Sequence, residues 1–176
     1  MKASGLNVGL ATLIAGAVFA AASAGAQQAA SARGDLAVEL KARKVVPQAG
    51  GSERYEPAER ARPGEVVEYI ATYRNTGKAP VRDVVATLPI PSETEFVPAG
   101  ARPGGALATT GDGNYRPLPL KRKVKRPNGK EEEREVALGE YRSLRWNIGE
   151  LQPGRSAEVA ARVRISAEPT TVPPAR

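Results

Sequence analysis

The chain has no cysteine and no histidine, and among its 176 residues there are one methionine, one tryptophan and two phenylalanines. Without cysteine no disulfide framework exists, so an exported fold would be held by its core alone, and attachment of lipid to a mature N-terminal cysteine is excluded. Without histidine the commonest general base and the commonest metal ligand are missing. With both absent, neither a structural nor a catalytic zinc site is expected. An enzyme would have to use Asp/Glu, Lys, Ser or Tyr chemistry, and neither Ser-x-x-Lys nor Gly-x-Ser-x-Gly spacing occurs. A glycosidase pair of carboxylates needs a sugar-binding groove as well, and one Trp, five Tyr and two Phe leave little with which to line one. The sequence therefore assigns no catalytic residue, no cofactor-binding residue and no metal ligand, and the expectation is a protein that is not an enzyme. Long helical periodicity is also lacking beyond the first 26 residues.

What is present begins with a leader. Residues 1–26 hold one charge, Lys2, then an apolar run over 6–22 broken mainly by Asn7 and Thr12, then Ala24-Gly25-Ala26. A basic start, apolar middle and A-x-A exit describe a secretory signal peptide cut before Gln27. Left uncut, the same segment is long enough to anchor the chain in a bilayer of about 30 Å, which would be its only membrane contact. Export to the periplasm or the cell surface is the expected localisation. Losing Lys2 leaves 25 basic and 19 acidic residues, a net +6 in place of +7. That balance is spread along the chain and suits weak attraction to anionic envelope polymers, or simply a solvated basic surface. Export takes the protein away from nucleic acid, so no nucleic-acid partner is expected.

Behind the leader, residues 27–34 read as a mobile spacer. Residues 35–167 form a domain of short strands, and 168–176, with three prolines and little to bury, read as a disordered tail. From Asp35 the pattern alternates, with Leu36, Val38 and Leu40 on one face. Residues 46–63 carry three prolines and two adjacent glycines, so no regular element is expected there, only a loop that is mobile or draped over a sheet edge. Val67, Tyr69, Ala71 and Tyr73 form one face of the next strand, which turns through Asn75-Thr76-Gly77, where Asn and Gly tolerate positive φ. The apolar run over 81–88 suggests a central strand covered on both faces, ended by Pro89-Ile90-Pro91. Residues 94–97 make a short strand around Phe96, and 98–114 a Gly-rich loop with one short strand at 106–109. Leu144, Trp146 and Ile148 alternate, Leu151 plugs a turn that closes on Pro153-Gly154, and Val159, Ala161, Val163 and Ile165 mark the last strand.

Residues 118–138 are the clearest hairpin. Lys121, Arg122, Lys123, Lys125 and Arg126 precede Pro127-Asn128-Gly129-Lys130, and Glu131, Glu132, Glu133 and Glu135 follow. A two-residue Asn128-Gly129 turn would set Arg126 opposite Glu131, Lys125 opposite Glu132 and Arg122 opposite Glu135, a charge-matched ribbon projecting into water. Read alone, the acids resemble a site for a hard cation and the basic run a polyanion patch, but each offsets the other. Thr110-Gly111-Asp112-Gly113-Asn114 resembles a fragment of a calcium loop without the distal glutamate. A Lys-Asn isopeptide would need a buried lysine, and Lys44 and Lys78 read as exposed. Tyr69, Tyr73 and Trp146 read as core, with a ligand-facing aromatic strip as the alternative.

Seven or so antiparallel strands without the antibody cysteine pair give the fold class: all-β, an immunoglobulin-like antiparallel β-sandwich with a projecting charged hairpin. The residues Pro63-Gly64, Val67, Tyr69, Asn75-Thr76-Gly77, Val84-Val85, Leu88-Pro89-Ile90-Pro91, Phe96-Val97, Trp146-Asn147-Ile148-Gly149, Leu151 and Pro153-Gly154 resemble the bacterial conserved repeat domain known as domain of unknown function 11, over about 35–165. The resemblance implies an exported immunoglobulin-like module without a known activity, often repeated in large surface proteins. Members often place Asp where this chain has Leu88, so no role that needs that carboxylate carries over, and this chain has a single copy. Two functions follow as expectations. One is a non-catalytic module of the cell envelope with a structural or protein-interaction role, its partner an envelope protein or a cell-wall polymer. The other is a periplasmic ligand-binding or chaperone-like factor that clasps a client between residues 46–63 and the hairpin. The sequence assigns no oligomeric state.

Overall fold

A computed structural model of the chain describes residues 29–167. The leader read at 1–26 and the tail read at 168–176 lie outside the described residues. The strands are β1 (Ala29–Arg33), β2 (Leu36–Pro47), β3 (Glu53–Pro57), β4 (Val66–Asn75), β5 (Val81–Pro89), β6 (Thr94–Phe96), β7 (Leu107–Thr109), β8 (Arg116–Pro117), β9 (Lys121–Lys125), β10 (Glu131–Glu135), β11 (Ser143–Leu151) and β12 (Ser156–Ile165). One sheet runs β1-β2-β4-β12-β6, with β3 on the same edge of β2 as β1. A second runs β5-β11-β7-β8, and β9 and β10 pair only with each other. Every ladder is antiparallel. Because the chain passes from sheet to sheet, β4 to β5, β5 to β6 and β11 to β12, the two sheets enclose one core as an antiparallel sandwich.

Alternation places that core. Val67, Ala71 and Tyr73 of β4 and Val159, Ala161 and Val163 of β12 face Val84, Ala86 and Leu88 of β5 and Leu144 and Trp146 of β11. At one end Phe96 and Tyr141 stack with ring centres 5.4 Å apart, each 1% exposed. The polar atoms of these buried aromatic side chains have partners: the Tyr141 hydroxyl accepts from the Leu120 amide at 2.8 Å, and the Trp146 indole donates to the Pro103 carbonyl at 2.8 Å.

Four parts differ from the sequence reading. Residues 29–33, read within a spacer, pair with β2 as β1. Residues 46–63 do hold a regular element, because Gly50 and Gly51, both at φ +80°, turn the chain back so that β3 pairs along β2. The segment is draped on the sheet edge, as a strand. Strand β5 is an edge strand, with Val84, Ala86 and Leu88 buried while Val85 is 47% exposed; its apolar run reflects β-propensity on an open face rather than cover on both sides.

The ribbon register is the fourth. Arg126 donates its amide to the Lys130 carbonyl at 2.8 Å, and Gly129, at φ +81°, donates to the Arg126 carbonyl at 2.9 Å. The loop is therefore the three residues Pro127, Asn128 and Gly129, with glycine in the left-handed position such loops require. One residue of slip exchanges the partners: Glu131 faces Lys125, Glu133 faces Lys123, Glu135 faces Lys121, and Arg134 faces Arg122.

Asn75 and Gly77 turn β4 toward β5, but neither has a positive φ. Asn75 is fully buried and donates through its side chain to the carbonyls of Ala79 and Leu151, both at 2.8 Å, while accepting from the Gly77 amide at 2.9 Å. Gly77 is required by space, since a Cβ there would lie 2.3 Å from Cγ of Asp35. Gly77→Ala is expected to cost about 1–3 kcal/mol through overpacking, read as a lower midpoint in urea. Asp35→Gly in the same chain should restore part of the loss, and equal midpoints for Gly77→Ala and the parent would refute the close approach.

Candidate functional site

Strand β4, Val66-Val67-Glu68-Tyr69-Ile70-Ala71-Thr72-Tyr73-Arg74-Asn75, carries one acid, Glu68, flanked on both sides by apolar side chains, and one base, Arg74, near its end. Alternation sends Glu68 to the outer face of the first sheet, yet it is fully buried. Register explains this, because Glu68 has Arg43 of β2 on one side and Arg162 of β12 on the other. Arg43 Nε donates to Glu68 Oε2 at 2.8 Å and Arg162 Nε to Oε1 at 2.9 Å, and Arg102 bonds Oε1 from the loop bridged to Ala160. Arg162 turns its two terminal nitrogens onto Glu53 at 2.6 and 2.7 Å, and Arg43 lies 3.5 Å over the Tyr55 ring. Since β2 and β4 separate β3 from β12 in the ladder, the Glu53–Arg162 bond requires the β2–β3 hairpin to curl over the sheet's outer face.

Burial opposes the charge on Glu68, but the hydrogen bonds from Arg162 and Arg43 and the charges of Arg102 and Arg43 outweigh it. Its carboxyl titrates below the ordinary glutamate range. Glu53 is held low too, chiefly by its hydrogen bond from Arg162. Both Glu68 oxygens are saturated by guanidinium donors, so this cluster offers neither a general base nor a vacant ligand. What it does is fasten: β3, the 98–102 loop and three strands of the sheet meet on one carboxylate. Gly100 belongs to the same packing, as a Cβ there would meet Arg162 Cβ at 2.4 Å.

The accessible chemistry lies at the strand edges. Along β5 the free edge is blocked on either side of Val85. The Tyr73 hydroxyl, arriving from the other sheet, accepts the Thr87 amide at 3.0 Å and donates to its carbonyl at 3.2 Å. Pro89 has no amide to offer, and Asp83, at φ +53°, bends the other end where β11 is bulged at Gly149.

Among the described residues one side of the sandwich is open. On β11 the ladder with β7 stops at Arg145, and on β12 the last contact toward β6 is the Arg102–Ala160 bridge. Antiparallel alternation points the backbone groups of Asn147 and Glu158 outward on that side, where neither has a ladder partner among the described residues. Between them lies a groove of about 360 Å³ lined by Pro103, Gly104, Gly105, Trp146, Ile148 and Val159, among others. Two free backbone edges, an apolar floor and the rim carboxylate of Glu158 are what an added extended segment would use.

The other residues singled out in the sequence fall apart spatially. Lys44, read as exposed, faces inward with its side chain 13% exposed, bonded to Glu65 at 2.7 Å and near Glu56 at 3.6 Å; alternation along β2 puts it on the core face, where carboxylates hold it. Lys78 is exposed. The Asp112 carboxylate accepts from Thr109 Oγ1 at 2.8 Å and the Asn114 amide at 3.1 Å and is paired with Arg116, so its oxygens staple a turn. Tyr73 and Trp146 are buried, and Tyr69 is half-buried against the same core. Missed in the sequence, besides Glu68, is Arg145, which stacks 3.6 Å over the Tyr115 ring with its Nε buried and without a hydrogen-bond partner among the described residues. Among the described residues no helix is long and apolar enough to cross a membrane.

The chain has no significant match among family models, curated proteins or solved structures.

Proposed function

We propose that the protein is a non-catalytic interaction module of the cell envelope, in keeping with the leader and with the resemblance to the bacterial repeat domain, and that it takes an extended segment of an envelope protein at the open side of its sandwich. The observation that carries this reading is the contrast between edges: β5 is closed by Tyr73, Pro89 and the Asp83 bend, while Asn147 and Glu158 present free backbone groups beside an apolar groove. Main-chain bonds to a sheet edge supply affinity and the neighbouring groove supplies selectivity. The chaperone-like alternative gains less support, since the segment 46–63 that would clasp a client is fastened to the sheet through Glu53, Arg162 and Glu68.

A photoreactive residue placed at Glu158 is expected to capture a discrete envelope protein in the producing cells, and the same residue at Val85, on the closed edge, is expected to capture none. Equal capture from both positions, or none from Glu158, would overturn the reading. Capture of many unrelated exported chains at Glu158 would favour the chaperone-like role instead.

A further inference from the structure

The ribbon register divides its charges between two faces. Alternation places Lys121, Lys123 and Lys125 on one face, directly opposite Glu135, Glu133 and Glu131. That face is matched residue for residue. The other face carries Arg122 and Val124 of β9, Glu132 and Arg134 of β10, and Arg126 and Lys130 at the loop, and here Arg134 stands directly opposite Arg122 while Arg126 closes the loop against Lys130. Two acids serve these four cations: Glu132 pairs with Arg126 and lies 3.6 Å from Arg134, and Glu140 takes Arg122 through bonds of 2.7 and 2.9 Å. Lys130 has no carboxylate within ion-pair distance among the described residues. Like charges directly across a ladder are unfavourable, so the ribbon holds two mismatched cation pairs that an outside anion would relieve.

We infer that this cationic face is a docking surface for a linear acidic polysaccharide. The two cation pairs, one at the loop and one near the base, are four residues apart along the ribbon, about 14 Å at the usual rise of a strand. One small anion cannot bridge that distance, whereas a chain with repeated carboxylates runs along it. The tip, Pro127-Asn128-Gly129, has no large apolar side chain to enter a membrane, which favours a polymer over a lipid surface. The surface is separate from the open side of the sandwich, so either proposal can fail without the other.

The test compares two variants of equal net charge on immobilised polygalacturonate, with neutral dextran and phosphatidylglycerol vesicles alongside. Lys130→Gln with Arg134→Gln removes two cations from the mismatched face, and Lys121→Gln with Lys123→Gln removes two from the matched one. The parent should bind polygalacturonate and not dextran, the first variant about tenfold more weakly, and the second within about twofold of the parent. The first variant should also melt no lower than the parent, since it relieves like-charge repulsion. Equal weakening in both variants would mean that net charge alone is read, tighter binding to vesicles would mean a lipid surface, and no binding by the parent would mean no site. Each of these overturns the proposal.

Discussion

Tyr141→Ala is expected to destabilise the domain by about 3–5 kcal/mol, the cost of removing a large buried aromatic side chain. A loss of that size is a large part of the stability of an ordinary domain. Tyr141 is 1% exposed, stacks on Phe96, and accepts the Leu120 amide where the chain enters the ribbon. Tyr141→Phe separates the two contributions. The ring stays while the buried amide loses its partner, at about 1–3 kcal/mol. Urea unfolding of the three proteins measures both, and a Phe variant as unstable as the Ala variant would show that the hydroxyl, not the packing, dominates.

The second large effect is at Glu68. Removing one partner from a buried ion pair usually costs about 3–5 kcal/mol, and Glu68→Ala should fall near 3 kcal/mol, because Arg43 and Arg102 are partly exposed and Arg162 keeps Glu53. The hairpin of β2 and β3 should loosen with it, so trypsin should cut at Arg54 in the variant under conditions that leave the parent intact. The acid response follows from the same carboxyl. Its folded pKa lies below the unfolded value, so its contribution to stability is present above the ordinary glutamate range, about pH 4.3, and is lost as pH falls through the folded pKa. Glu68→Gln should therefore lose less stability than the parent between neutral and acid pH. It will still lose some, because Glu53, Glu65, Asp112 and Glu132 are also held low, each chiefly by a hydrogen bond. Parallel curves for the two proteins would refute the assignment.

The face of each long strand was legible because alternation is a local property: Val67, Ala71 and Tyr73, or Val159, Ala161 and Val163, declare the buried side without reference to any partner. What a strand lies beside is not local. Alternation alone leaves Glu68 on the outer face, and its burial depends on Arg43 and Arg162, which are 25 and 94 residues away. The signal that could have found it is a lone acid set among Val66, Val67, Tyr69 and Ile70. The apolar run 81–88 has the same composition whether it is central or at an edge, and only the partner strands decide. In the ribbon, one proline made the difference, since counting Pro127 into the loop moves every cross-strand pair by one residue. The open side left no mark in the sequence, because it is a pairing that strands distant in sequence do not make.

Amide hydrogen exchange of the folded protein, resolved residue by residue, decides whether the sandwich has an open edge. Fast exchange is expected at Asn147 and Glu158, and protection at Thr87, bonded to Tyr73, and at Ala160, bonded to Arg102. Slow exchange at Asn147 and Glu158, or exchange at Thr87 as fast as theirs, would contradict this, since the sandwich would then have no open edge for a partner to extend.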